Sequence, residues 1–261
     1  MEVSEYIAAL NREGELLGIA AERAGLLATV PSCPGWQVRD LLRHQGYVHR
    51  WAASYVTEQR AEMAEELTEA DQLRAEPGDD ALLEWFRAGH AALVSALETA
   101  APDITCWTFL PAPSPLAFWA RRQAHETAIH RADAELAAGG ALTPVTAEFA
   151  ADGIDELIMG FLGRDSAQLS VEQRTGGRLG VQVSATDAGN DWRLELTDDG
   201  TLTATARRGR GGTADCTLTG PAAGLYLLLW NRSEPSAADV TVGGDPAVLQ
   251  SWRAGMRVTW G

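Results

Sequence analysis

Glu126 and His130 stand four residues apart in the run HETAIH (125–130), which carries two histidines and a glutamate within six residues. At roughly 100° per residue, a helix brings positions four apart to within about 40°, so this carboxylate and imidazole project from one face. His125 lies five residues before His130, about 140° away, which excludes the HExxH zinc motif in which both histidines ligate. The surrounding run otherwise reads as an amphipathic helix. A lone Glu/His pair also occurs on exposed helices, where it adds roughly a few tenths of a kcal/mol.

A third donor bears on the choice. Leu41, His44, Val48, Trp51 and Tyr55 fall at steps of three and four, so His44 occupies a position where a core leucine is expected. Such a histidine can be a hydrogen-bonded core residue. A bundle that faces it with Glu126 and His130 instead assembles two imidazoles and a carboxylate. Three protein donors leave a fourth position open, as in catalytic zinc sites, and iron, nickel or manganese accept the same donors.

The neighbours of this set have two readings each. Asp133, one turn after His130, either orients an imidazole N–H or pairs with an arginine on the helix surface. His125 shares a side with Ile129, Ala132 and Leu136 and reads as packing or outer support. His49 is a weaker candidate, and His90 reads as a surface residue. Cys33, in PSCPGW, is either a reactive thiol or a small buried residue, with no basic neighbour in its turn to lower its pKa. Arg121 and Arg122 are available as a cationic wall or as ordinary surface charges.

The elements that must position these groups are helices. Apolar spacing predicts them at 3–25, 37–60, 79–100 and 115–138, separated by VPSCPGW, EPGDD and LPAPSPL and closed by AAGGALTP. Four such helices make a bundle, and all five histidines lie in it. A further helical stretch at 146–164 leads to period-two segments, LGVQVSATDAG, DWRLELTDDG and TLTATARRG, which predict an antiparallel meander. ADCTLTGPAAGLYLLLWNR and DVTVGGDPAVLQSWRAG each read as a strand feeding a helix. The fold class is therefore α+β in two domains: a bundle over 1–145, a linker helix and connection over 146–178, and a small α+β domain over 179–261.

Composition removes several classes of function. The 21 basic residues are all arginines, against 36 acidic ones, for a net charge of −15. Schiff-base and P-loop lysines are thus excluded, and the charge argues against nucleic acid. RRGRGG (207–212) reads as a solvated hairpin turn. Three scattered cysteines without CxxC fit a reducing cytoplasm, and neither a leader nor a membrane span is recognisable. LYLLLW is too short to be anything but a buried element.

Two stretches, VPSCPGWQVRDLLRHQGYVHRWAA (30–53) and FWARRQAHETAIHRADAELAAG (118–139), together resemble the paired signatures of the mycothiol-dependent maleylpyruvate isomerase family of actinobacteria. ADCTLTGPAAGLYLLLWNR and VTVGGDPAVLQSWR resemble its second domain. The resemblance implies a DinB-like metal-binding four-helix bundle followed by a sterol-carrier-like α+β domain. It implies a divalent metal, zinc in the isomerase itself, held at the positions of His44, Glu126 and His130, and mycothiol as thiol cofactor. It also implies a catalytic arginine in the second domain, matched by Arg232. Gln37 replaces a frequent threonine helix cap, and WNR replaces WGR.

On this reading a metal-activated thiol adds to a small acidic electrophile, either isomerising a cis alkene or transferring the thiol, with Arg122 at the cofactor. The partners are a small substrate and the thiol, and the assembly a monomer or homodimer. Two alternatives from other classes are a non-enzymatic module that binds an apolar ligand, and a metal-dependent hydrolase in which water replaces the thiol.

Overall fold

The computed structural model describes residues 1–63, 77–162, 177–198 and 202–255. Asp199 and Gly200 of the DDG turn and residues 163–176 of the expected connection lie outside these. The chain divides into two compact units, Met1–Thr143 and Pro144–Gly261.

Helices α1 (Val3–Ala24), α2 (Val38–Glu58), α3 (Leu82–Thr99) and α4 (Pro115–Ala137) build the first unit. A 3-10 turn, Asp79–Ala81, leads into α3 where the spacing predicts that helix to begin. Ser114 caps α4 by accepting from the Ala117 N–H at 3.1 Å, and Pro115 follows at a position whose N–H would have no helical partner. At α2 the Asp40 carboxylate accepts from the Gln37 N–H at 2.9 Å, so the cap is closed without the threonine. Leu17, Val38, Leu41, Leu42, Leu82 and Phe86 meet in the core between α1, α2 and α3.

Helix α4 departs from its predicted amphipathic character. From Arg122 to Glu135 every residue is buried. Burying nine polar or charged residues is tolerable only where they are paired. Arg131 donates to Glu13 of α1 at 2.7 Å and to Glu135 at 2.6 Å, and Glu135 also accepts from the N–H and hydroxyl of Thr143. Thr127 meets His49 Nε2 at 2.9 Å. Arg122, Glu126, His130 and Asp133 form the site described below, and His125 packs against Tyr6.

His90 corrects the surface reading: it is 6% exposed, with Nε2 at 3.1 Å from the Leu10 carbonyl. Gly14 makes room for it, since a Cβ there would lie 2.2 Å from His90 Nε2. Burial pushes the His90 imidazole below its usual 6.5, against the pull of the Leu10 carbonyl and Glu15, and burial with His90 beside it pushes His49 lower still. Below pH 6.5 the unfolded chain therefore takes up protons that the folded chain refuses, and stability falls as pH drops toward the folded values. His90→Gln is expected to lose less stability than wild type between pH 7.5 and 5.5, measured as urea midpoints; identical pH slopes would contradict this.

In the second unit α5 (Ala147–Asp155) continues into a π turn, Glu156–Phe161. Strands β1 (Gly177–Ala185), β2 (Asp191–Asp198) and β3 (Leu202–Arg208) form the predicted antiparallel meander. Then come β4 (Cys216–Gly220), α6 (Ala222–Leu229), β5 (Thr241–Gly244) and α7 (Pro246–Gly255). The sheet order is β3-β2-β1-β4-β5, with β4 parallel to β1 and β5 antiparallel to β4. Val181, Val183, Trp192, Leu194 and Leu218 of the sheet are buried, as are Leu225, Tyr226, Leu228 and Leu229 of α6. LYLLLW is thus a core helix. Helix α5 packs on α6 and is tied to the sheet by Asp155, which accepts from Trp192 Nε1 at 3.1 Å.

The predicted hairpin at RRGRGG is not one. Strands β3 and β4 are not neighbours, and residues 209–215 cross from one side of β2 and β1 to the other. Hairpin prediction reads local turn chemistry, whereas this connection is set by the parallel pairing of β1 with β4. No helix among the described residues is long and apolar enough to cross a membrane.

Candidate metal centre

Three elements of the first unit converge at one point. His44 comes from α2, Glu126 and His130 come from α4, and the loop 29–37 closes over them. Glu126 Oε1 lies 3.2 Å from His44 Nε2 and 3.3 Å from His130 Nε2. One donor atom from each of the three lies within 4.8 Å of the others. Nitrogen and oxygen donors at about 2.0–2.2 Å from a tetrahedral cation stand roughly 3.3–3.6 Å apart, so this set fits a small divalent ion.

The carboxylate is kept ionised. Burial alone would raise the Glu126 pKa, but Arg122 and the two imidazoles hold it well below the ordinary carboxylate range. Arg122, four residues earlier on α4, is 1% exposed and donates through Nη2 to Glu126 Oε2. This occupies the second carboxylate oxygen and leaves Oε1 to the imidazoles. The guanidinium expected at the cofactor is therefore a buried partner of Glu126, and not a surface charge. Gln45, adjacent to His44, adds an Nε2 donor at 3.5 Å from Oε1.

Asp133 is fully buried, which removes the surface reading, and it accepts from His130 Nδ1 at 2.8 Å. With that nitrogen protonated, Nε2 of the neutral ring presents its lone pair toward Glu126 and His44. Burial lowers the His130 pKa, but Asp133 and Glu126 outweigh it, and the net shift is upward.

Asp133 is held by the loop that precedes α2. Pro34 and Gly35, the latter at φ +88°, make the tight turn that the Cys33 carbonyl closes by accepting from the Trp36 N–H at 3.0 Å. A second turn, from Val30 to Cys33, brings Ser32 and Cys33 to the carboxylate. The Ser32 hydroxyl donates to Oδ1, and Cys33 Sγ lies 3.5 Å from Oδ2. Cys33 is therefore half-buried beside the site, and its thiol, with Asp133 and His130, makes a second donor group sharing the His130 ring. Trp36 stacks on His130 at 6.3 Å between ring centres and tilts over His44 at 5.2 Å.

The other candidates fall elsewhere. His125 is buried against Tyr6 and His49 is bonded to Thr127. Arg121 is half-buried on α4. Arg232 belongs to the second unit, just beyond α6, where its Nη1 donates to the Trp230 carbonyl at 2.7 Å. Sequence reasoning missed Gln45, Ser32 and Trp36. Gln45 carries a signal, as a polar neighbour of His44 in a buried stretch, whereas nothing local links Ser32 to a carboxylate 101 residues away.

Comparison with known proteins bears on the same stretches. Residues 7–135 match the model of the mycothiol maleylpyruvate isomerase N-terminal domain, and residues 148–251 match that of the corresponding C-terminal domain. Crystal structures of a mycothiol-dependent maleylpyruvate isomerase and of its histidine-to-alanine mutant superpose with TM-scores of 0.62 and 0.63, at 12% and 13% identity. In both cases 93% of each chain is covered, so the two-domain architecture is shared. No curated protein matches the chain. With both family domains present in order and the same fold over nearly its whole length, the chain belongs to the mycothiol-dependent maleylpyruvate isomerase family.

Proposed function

We propose that the protein is a metal-dependent enzyme that uses a low-molecular-weight thiol, mycothiol, on a small acidic electrophile. The observation that carries this reading is the pair of imidazole nitrogens at 3.2 and 3.3 Å from a single carboxylate oxygen, at the spacing a divalent cation requires. When bound, such a cation, zinc by family likeness, favours thiolate over thiol at neutral pH.

The chain's own groups prepare the donor set. Arg122 keeps Glu126 charged and fixed through its second oxygen, so Arg122 serves the cofactor indirectly. Asp133 selects the His130 tautomer, and Ser32 and Cys33 hold Asp133. Trp36 shields both imidazoles from bulk water on one side. Arg232 is the candidate anion-binding residue for an acidic substrate.

Two outcomes of thiol addition are compatible with this machinery. Addition to a cis alkene leaves a single bond free to rotate, and loss of the thiol then gives the trans isomer. Addition or displacement without that loss transfers the thiol. Incubating the metal-loaded protein with mycothiol and cis-configured acidic alkenes, maleylpyruvate first, separates them by product mass. A trans product of unchanged mass means isomerisation, a gain equal to the thiol means addition, and a gain of the thiol less the departing group and its proton means displacement. Turnover that proceeds equally without thiol would overturn the proposal in favour of hydrolysis.

A further inference from the structure

Arg193 of β2 is 4% exposed. It points away from Trp192 and Leu194, whose side chains fill the helix-covered face of the sheet, because alternate residues of a strand face opposite sides. That other face would ordinarily be wet. Here the β3–β4 crossover lies over it, and Arg193 Nη2 donates to the Thr213 carbonyl in that crossover. Nε and Nη1 are buried with no hydrogen-bond partner.

Two carboxylates are near, and neither satisfies them. Glu195 Oε1 stands 4.0 Å from Nε, beyond hydrogen-bond distance, and Asp215 Oδ2 accepts from the Gly180 N–H at 2.6 Å. Across the two ladders Arg193 pairs with Gln182 of β1 and with another cation, Arg207 of β3. Like charges directly opposite are unfavourable, and so is a buried guanidinium with two donors unmade, whose ion pair with Glu195 stands at 4.0 Å. Arg208 and Arg210 are bonded to Asp155 and Asp191, while Arg207 has no ion pair among the described residues.

Glycines let both guanidinium groups lie directly against the backbone, in volume that a side chain would take. A Cβ on Gly180 would lie 2.0 Å from Arg193 Nη2, and one on Gly211 would lie 2.7 Å from Arg207 Nη2. Gly209 and Gly212, at φ +98° and +70°, give the crossover a path that other residues rarely adopt. Two cations therefore converge on the Gly211–Gly212 segment in a protein of net charge −15.

We propose that Arg193, Arg207 and the glycine-rich crossover form a binding site for a small oxyanion, a carboxylate or a phosphate group, separate from the His44–Glu126–His130 centre. Arg193 is the inner, desolvated contact and Arg207 the exposed one that draws the anion in. The oxyanion supplies the acceptors that Nε and Nη1 lack and screens the cross-strand repulsion.

The test uses the full chain and follows its melting temperature at constant ionic strength while chloride is exchanged for phosphate or, separately, acetate. A saturable rise beyond chloride is expected with at least one of the two. Phosphate alone identifies a phosphoryl ligand and acetate alone a carboxylate. Arg193→Met should abolish the rise while melting no lower than wild type in chloride. Arg207→Gln, on the surface, should weaken it by about tenfold in apparent affinity, and His44→Ala should leave it intact. The proposal is overturned by a wild type indifferent to both anions, by an unchanged response in Arg207→Gln, or by loss of the response in His44→Ala.

Discussion

Alanine at His44, Glu126 or His130 is expected to abolish stoichiometric metal binding in each case, with elemental analysis after reconstitution as the measurement. The three donors form one set, with Glu126 Oε1 at 3.2 and 3.3 Å from its two neighbours, so no single removal leaves enough ligands. Asp133→Asn should behave differently. All three donors remain, but the His130 ring loses the carboxylate that fixes its tautomer, and affinity falls by about 10- to 100-fold. Thiol-dependent turnover should follow metal occupancy through this series. Full occupancy in all three alanine variants would end the assignment.

The second large effect lies on the same helix, one residue past His130. Arg131 is 2% exposed and joins Glu13, 1% exposed, to Glu135. Arg131→Met leaves the buried Glu13 carboxylate with only the half-exposed Arg12, at 2.6 Å on its other oxygen, and is expected to cost about 3 kcal/mol. Urea-induced loss of helical circular dichroism reads this, since most of the helix is in the first unit. The double variant Glu13→Leu/Arg131→Met removes both charges and should recover most of the loss. Glu135 keeps its two Thr143 donors and can remain. A double variant no more stable than Arg131→Met would show that packing around the guanidinium, and not its charge, holds α1 to α4.

The sequence is legible where information is local. Apolar spacing with proline and glycine punctuation places the four helices, and period-two alternation places the meander. The convergence of His44, Glu126 and His130 was readable because two of them share a helix face and the third interrupts an apolar stripe. What was hidden depends on contacts between distant segments. The burial of His90 follows from a glycine on α1, and the burial of α4 follows from the Glu13 carboxylate of α1, the His49 imidazole of α2 and the Ser32 hydroxyl of the 29–37 loop. The crossover at 209–215 follows from strand order, which no turn motif encodes.

The complete burial of α4 has a consequence for redesigning the centre. On most helices a designer can vary one face while the other keeps the fold, but between Arg122 and Glu135 there is no spare face. The candidate ligands Glu126 and His130 share that stretch with buried residues that hold the helix in place, such as Thr127, Arg131 and Glu135, so a library aimed at new chemistry would be depleted by misfolding before selection. The loop 29–37 offers the opposite situation. Ser32, Cys33 and Trp36 touch Asp133 or the imidazoles from a short turn whose geometry rests on Pro34 and Gly35. Diversity at Ser32 would reach the candidate metal centre at the least cost to the bundle, because Cys33 and Trp36 also pack against its core. New specificity on this scaffold is therefore best sought from the turn, with the helix left as found.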